Sequence, residues 1–510
     1  MQAGILISGE RTLTREQMYA NASRASSGLE ALGVAAGDAV AILMRNDFAF
    51  FEATYGAGRL GAYALPLNWH FGGAEVRAIL DDSGARVLVV HADLLPAVRD
   101  HLPDAMNILV VETPPEILTA YGLDAACGRI PAGATAWPAW RDRHPPWRGK
   151  ARTRPGALLY TSGTTGKPKG VRREPYSKAQ MALGFEIGRQ LYGFAPTART
   201  VITGPMYHAG PNVYAMAMAA TADRVILQPR FDAAELLSLI DRHAITSLSL
   251  VPTMLVRMLA LPETVRAAFD GGSLTHVAHS AAPCPAEVKR AMIDWWGPVI
   301  VELYGGTETG PVVGCTSAEW LAHPGTVGRP FRGTEIRILD EDGRDLPSGA
   351  VGEIYARNAA NSAFSYPGLE NERRAIERDG LISLGDVGYL DEDGFLHLCD
   401  RKKDMVISGG VNIFPAEIEA ELVMLDGVRD CAVFGVPDAE FGEALIAYVE
   451  RDPEAAFDEA RIRRRLAERL ARYKIPRRFR LVEALPRDDT GKIFKRLLRA
   501  PYWEGRDRAI

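Results

Sequence analysis

A chain of 510 residues, 47% hydrophobic and 24% charged, can bury a large core without disulfides or structural metals and has room for more than one domain. A formal net charge of −5 excludes a basic, nucleic-acid-binding surface spread over the whole molecule. The five cysteines, Cys127, Cys284, Cys315, Cys399 and Cys431, form no CxxC or zinc-knuckle spacing, as expected where thiols stay reduced.

Residues 1–10 lack a basic stretch followed by an apolar run, so no signal peptide is expected. The longest uncharged stretch, residues 200–222, is interrupted by Gly204, Pro205, His208, Gly210, Pro211 and Asn212, which argues against a spanning helix. The expectation is a cytoplasmic protein, with peripheral membrane contact and a homodimer left open. Thr14 and Gln17 have capping-box spacing, and Met18, Ala22, Ala25, Leu29 and Leu32 follow at helical intervals. Residues 39–44, 86–90 and 107–111 read as short buried strands separated by helical stretches, the pattern of a parallel sheet with crossover helices. Residues 113–155, rich in Pro, Ala, Gly, Arg and Trp, read as a long irregular connection.

Further on, residues 224–227 and 246–250 read as strands around a helix at 233–242. Residues 335–339, 352–356 and 394–398 are short strands divided by Asp-Gly or Pro-Gly turns, which predicts antiparallel pairing. A smaller unit begins near Asp400. Pro415 opens a helix with Ile418, Leu422 and Leu425 on one face, and Ile462, Leu466 and Leu470 mark another.

The chemistry-bearing strings stand out against this background. Lysine occurs ten times against 49 arginines, yet Lys167, Lys169, Lys402, Lys403, Lys492 and Lys495 fall in three short motifs, which directs attention there. The apolar run Ala157-Leu158-Leu159-Tyr160 enters Thr161-Ser162-Gly163-Thr164-Thr165-Gly166-Lys167-Pro168-Lys169-Gly170. Glycines let backbone N–H groups converge on an anion, hydroxyls add donors and lysines add charge. The spacing differs from a Walker A loop: two residues separate Gly163 from Gly166, and Pro168 follows Lys167.

This loop resembles the phosphate-binding signature of the adenylate-forming superfamily, which includes acyl-CoA synthetases, aryl-CoA ligases, luciferases and peptide-synthetase adenylation domains. Further strings in the superfamily's order carry the resemblance: Tyr304-Gly305-Gly306-Thr307-Glu308, Gly385-Asp386-Val387-Gly388-Tyr389, Asp400-Arg401-Lys402-Lys403-Asp404, Pro415-Ala416-Glu417-Ile418-Glu419 and Pro486-Arg487-Asp488-Asp489-Thr490-Gly491-Lys492-Ile493. The resemblance implies an α/β fold: a large N-terminal domain, residues 1–400, with parallel-rich sheets and a small β-barrel-like part, followed by a small mobile α+β C-terminal domain, residues 401–510.

The resemblance also implies roles. Residues 161–166 and Lys169 would hold the phosphates of ATP, and Glu308 and Thr161 would hold Mg²⁺, a hard cation that prefers oxygen. Asp386 would accept hydrogen bonds from the ribose, and Arg401 would touch ribose or phosphate. Ala281, Ala282 and Pro283 would lie against adenine, with Tyr304 on its other face and Thr307 alongside the nucleotide. Ser280 stands where the pattern more often has Gly, which alters the local pocket. Tyr207, His208, Ser280, Gly305, Gly310, Pro311 and Val312 would line the acid pocket, with His208 orienting the acid, gating the thiol tunnel or merely packing. Lys492 would bridge the carboxylate and the α-phosphate, Lys403 would be the hinge, and Gly409 and Gly410 would line a tunnel for coenzyme A or form an ordinary hairpin turn.

The expected reaction is acid + ATP + CoA giving acyl-CoA, AMP and pyrophosphate. The rivals are an enzyme loading an acyl carrier protein, a luciferase-like oxygenase and a non-catalytic nucleotide sensor. Glu308 and Lys492 together disfavour the sensor, since binding alone does not need the pair. Because residues 200–222 carry no charge and Glu308 is the only charged residue from 303 to 318, the favoured acid is apolar, a medium- or long-chain fatty acid or a bulky ring-bearing acid. That would place the enzyme in fatty-acid and lipid metabolism.

Overall fold

The computed structural model describes residues 4–161, 169–451, 457–487 and 493–504. Helix Arg15–Ala31 starts at Thr14 with both halves of the capping box formed, and it buries Met18, Ala22, Ala25 and Leu29. Helix Phe48–Arg59 is apolar almost all round and accordingly buried almost all round. Both helices lie between two sheets, in one core that joins Val40, Ile42, Val87 and Val89 of one sheet to Leu6, Ile202, Val225 and Leu227 of the other.

The first of these sheets has five parallel strands in the order Tyr63–Pro66, Ala39–Leu43, Val87–His91, Asn107–Val111 and Thr135–Ala136. The second runs parallel through Ile5–Ser8, Arg224–Leu227, Arg199–Ile202, Ser247–Leu250, His276–His279 and Ile300–Gly306. It then turns antiparallel through Gly310–Thr316, Thr326–Pro330, Leu396–Arg401, Leu381–Leu390, Gly352–Asn358 and Thr334–Leu339. Val313, Val327, Ile338, Ile354 and Leu396 converge from this antiparallel run on one core, which gives it its barrel-like form.

A five-stranded mixed sheet made of Val411–Ile413, Val406–Ser408, Gly442–Arg451, Val428–Asp438 and Arg478–Val482 forms the small domain. Helices Pro415–Leu422 and Glu459–Arg469 cover it, burying Ile418, Leu422, Ile462 and Leu466. Leu425 lies beyond the helix end but still packs on this core. A cleft of 270 Å³ between Glu287 of the large domain and Glu421, Arg465 and Arg469 of the small one is a charged seam.

Residues 113–155 depart from expectation. They form helices Pro115–Tyr121 and Trp137–Asp142 and the edge strand Thr135–Ala136. The reason is tertiary: Trp137 and Trp140 enter the core beside helix Arg15–Ala31, and the Trp137 indole N–H donates to Glu52 at 2.9 Å. Burying two indoles offsets the weak local propensity of a Pro- and Gly-rich segment. All five cysteines are free thiols. Among the described residues no helix is long and apolar enough to cross a membrane.

Candidate active site

Strands Leu159–Thr161 and Lys169–Arg173 pair antiparallel, Thr161 opposite Lys169, so they bring together the two ends of the Gly/Ser/Thr-rich loop. Ser162, Gly163, Thr164, Thr165 and Gly166 lie outside the described residues, as does Lys492. Lys169 is held by an ion pair with Glu372, and its ammonium sits 5.8 Å from the Tyr366 ring centre.

Strand Ile300–Gly306 and strand Gly310–Thr316 carry the Tyr304–Pro311 segment. The register shifts at Tyr304 and Gly305, and a Cβ on Gly305 would overlap the Gly310 carbonyl, so glycine is required. The Tyr304 hydroxyl donates to Asp386 Oδ2 at 2.7 Å. Burial and the Asp386 charge push this phenol well above its ordinary range. Asp386 faces Arg401 across the Leu381–Leu390 and Leu396–Arg401 pair, with Arg401 Nε 3.6 Å from Asp386 Oδ1. Three residues named from separate motifs thus meet: an aromatic face, a carboxylate and a guanidinium, suited to a nucleoside and its phosphate.

Glu308 accepts a hydrogen bond at Oε1 from the Tyr366 hydroxyl at 2.8 Å. Its main chain is held too. Arg173 donates to the carbonyls of Thr307 and Glu308, both at 2.7 Å, and to that of Ser362 at 2.8 Å. Arg173 is buried with its guanidinium spent on carbonyls, and burial lowers its pKa. Glu308 has no ion pair among the described residues, which fits a carboxylate available to a hard cation. No group of three or more His, Cys, Asp or Glu side chains could hold a metal among the described residues.

Ser280, Ala281, Ala282 and Pro283 follow strand His276–His279 as an exposed to half-buried loop of small residues. Ala281 has φ 76°, the left-handed region that a Cβ disfavours. Beneath the loop, His279 is buried and its ring nitrogens have no partner among the described residues. Burial holds its pKa down to about 4. On the neighbouring strand Glu302 is paired with the buried Lys289 at 2.7 Å.

The Pro205–Gly210 turn is fixed from elsewhere in the chain. Asn46 donates to the Gly204 carbonyl at 2.9 Å and accepts from the Met206 N–H at 2.9 Å. Tyr207 is buried with its ring edge-on to Trp69 at 4.6 Å, and His208, the residue before helix Ala209–Thr221, has its ring centre 4.3 Å from that of Tyr207 at a tilt of 45°. Val312 is fully buried, and the Pro311 carbonyl accepts from Asn358 at 2.6 Å.

Gly409 and Gly410 form the two-residue turn between Val406–Ser408 and Val411–Ile413, with φ 58° and 79°. That turn geometry is by itself sufficient reason for two glycines. The Lys403 carbonyl accepts from Arg499 at 3.0 Å. Tyr366, Arg173, Asn46 and Trp69 were missed from sequence. Arg173, six residues past Lys167, had only its nearness to the loop to signal it.

The sequence profile of the AMP-binding enzyme family matches residues 2–364, and that of the AMP-binding enzyme C-terminal domain matches residues 417–492. The chain belongs to this family and is an AMP-forming acid–thiol ligase. It is 32% identical to the fatty acid–[acyl-carrier-protein] ligase ScoC of Streptomyces coeruleorubidus, over 98% of this chain and 93% of that protein. It is 33% identical to the long-chain-fatty-acid–CoA ligase FadD13 of Mycobacterium tuberculosis, over 98% of this chain and 95% of that protein. The solved anthranilate CoA ligase AuaEII, in complex with anthranoyl-AMP, superposes with a TM-score of 0.85 at 26% identity, covering 98% of this chain and 94% of that one.

Proposed function

We propose that this enzyme uses ATP to convert an apolar monocarboxylic acid into an acyl-adenylate and then transfers the acyl group to coenzyme A, releasing AMP and pyrophosphate. The observation that carries the reading is the meeting of Tyr304, Asp386 and Arg401, within hydrogen-bond or near ion-pair distance although they lie up to 97 residues apart. Asp386 would take the ribose hydroxyls, Tyr304 would cover the adenine opposite Ala281, Ala282 and Pro283, and Arg401 would reach ribose or phosphate. The loop from Thr161 to Gly166, with Thr307, would hold the phosphates. Mg²⁺ held by Glu308 and Thr161 would offset phosphate charge. Lys492 would bridge the carboxylate and the α-phosphate while charge develops between them.

The second step requires Lys492 to leave and the Gly409–Gly410 turn to arrive. We place the division at residues 400 and 401 and the pivot at Lys403. Asp400 supports this placement. Its backbone pairs with Val387 in the large domain, while its carboxylate accepts from the Ala416 N–H at 2.8 Å at the start of a small-domain helix.

The apolar acid is supported by Tyr207 and Trp69 beside the Pro205–Gly210 turn. Arg45, beneath Trp69, is committed to an ion pair with Asp93, so it is not available to a second substrate carboxylate. FadD13 is named for long-chain fatty acids and AuaEII for anthranilate, in keeping with a fatty or ring-bearing acid. Comparing kcat/KM for acetate, malonate, octanoate, palmitate and a cinnamate-type acid tests this. Preference for one of the last three is expected, and a clear preference for malonate or acetate overturns it. The likeness to ScoC favours a carrier protein as the alternative acceptor. AMP release on adding free CoA, compared with a phosphopantetheinylated carrier, separates the two.

A further inference from the structure

The proposed metal ligand, Glu308, is one half-buried residue on the turn between two strands, and a carboxylate on such a turn samples several rotamers unless something holds it. Here the holding group comes from 58 residues away. Tyr366 directly follows strand Phe364–Ser365, which pairs with Lys169–Arg173. Its ring is buried against Val171, Phe364 and Ile382, and only its hydroxyl reaches out, donating to Glu308 Oε1 at 2.8 Å.

The same segment grips the turn at two more points. The Asn361 side-chain amide donates to the Thr309 carbonyl, and Arg173 ties the Ser362 carbonyl to those of Thr307 and Glu308. Glu372, a few residues on, takes Lys169 as its ion-pair partner. Residues 361–372 therefore brace the turn carrying Glu308 and one end of the phosphate loop together. A hydrogen bond to one carboxylate oxygen leaves the other free to coordinate and selects one orientation of the group.

We propose that Tyr366 is a positioning residue for the divalent cation of the ATP complex, acting through Glu308; the inference rests on the assignment of Glu308 as the metal ligand. Groups that orient a metal ligand in this way typically contribute 10- to 100-fold in metal affinity.

The test uses the full chain with a non-hydrolysable ATP analogue, and Mn²⁺ binding to that complex is followed by electron paramagnetic resonance. Tyr366→Phe keeps the buried ring, so its thermal melting point serves as a check on packing. The expected result is a loss of Mn²⁺ affinity of about 10-fold for Tyr366→Phe, a larger loss for Glu308→Gln, and no further loss in the double variant. If Glu308→Gln weakens Mn²⁺ binding and Tyr366→Phe does not, the positioning role is overturned while Glu308 keeps its assignment. A lowered melting point with unchanged Mn²⁺ affinity makes Tyr366 a packing residue only and overturns it as well. If neither variant alters Mn²⁺ binding, the assignment of Glu308 falls and the inference with it.

Discussion

Lys492 and His279 show how differently single residues carry meaning in this chain. Lys492 is exposed to reasoning only through its neighbours, because a lone lysine carries no signal, whereas Pro486 to Lys495 is a dense and specific string. Lys492→Ala is expected to abolish pyrophosphate exchange while thioester formation from preformed acyl-adenylate survives largely intact. Equal loss of both half-reactions would contradict a role confined to adenylation. His279 carries no motif, yet its burial has a consequence for stability. Its pKa falls from an unfolded value of 6.5 to about 4 in the folded protein, chiefly through desolvation. The unfolded chain then binds more protons between those values. Stability is therefore complete above pH 6.5 and declines by up to about 3 kcal/mol as the pH falls toward 4. Urea unfolding at pH 7 and pH 4.5 measures this, and His279→Leu should flatten the dependence.

The elements that present the site are short turns at strand ends, and their backbone angles constrain what can stand there. Gly410 has φ 79° with open space around its Cβ direction, so steric overlap does not forbid a side chain, but the left-handed backbone costs a non-glycine residue about 1 kcal/mol. Gly410→Leu should therefore leave the small domain folded. If this turn does face the thiol, the variant slows thioesterification several-fold more than pyrophosphate exchange. A collapse of exchange with CoA use retained would show that the turn serves the first half-reaction instead. Segment 113–155 shows the limit of reading elements from composition. Its helix Trp137–Asp142 exists because Trp137 and Trp140 have a core to enter, and no local pattern announces that core.

At the scale of the whole molecule, Asp400 joins the large and small domains by different atoms, its backbone pairing with Val387 and its carboxylate accepting from the Ala416 N–H. Arg499 of the C-terminal helix reaches back to the Lys403 carbonyl at 3.0 Å and to Asp404 at 3.3 Å, which ties down the stretch proposed as the pivot. Lys403→Pro restricts the backbone at that place. The expected outcome is an enzyme that keeps one half-reaction and loses most of the other, measured by pyrophosphate exchange against acyl transfer from preformed adenylate. Retention of both at the parent rates would move the pivot away from residue 403.

The sequence alone determined the family, the order of its motifs, the parallel and antiparallel halves of the large domain, and Tyr304, Asp386 and Arg401 as nucleotide candidates. It could do so because anion loops, tight turns and helix starts are local: their chemistry is written in residues adjacent along the chain. The tertiary structure alone decided which groups brace them. Tyr366 on Glu308, Arg173 on the Thr307 and Glu308 carbonyls, Asn46 on the 204–206 turn and Trp69 against Tyr207 are contacts between residues 58 to 160 positions apart. A hydrogen bond or ring contact across such a separation forms only once sheets and helices have packed, and no spacing along the chain encodes it.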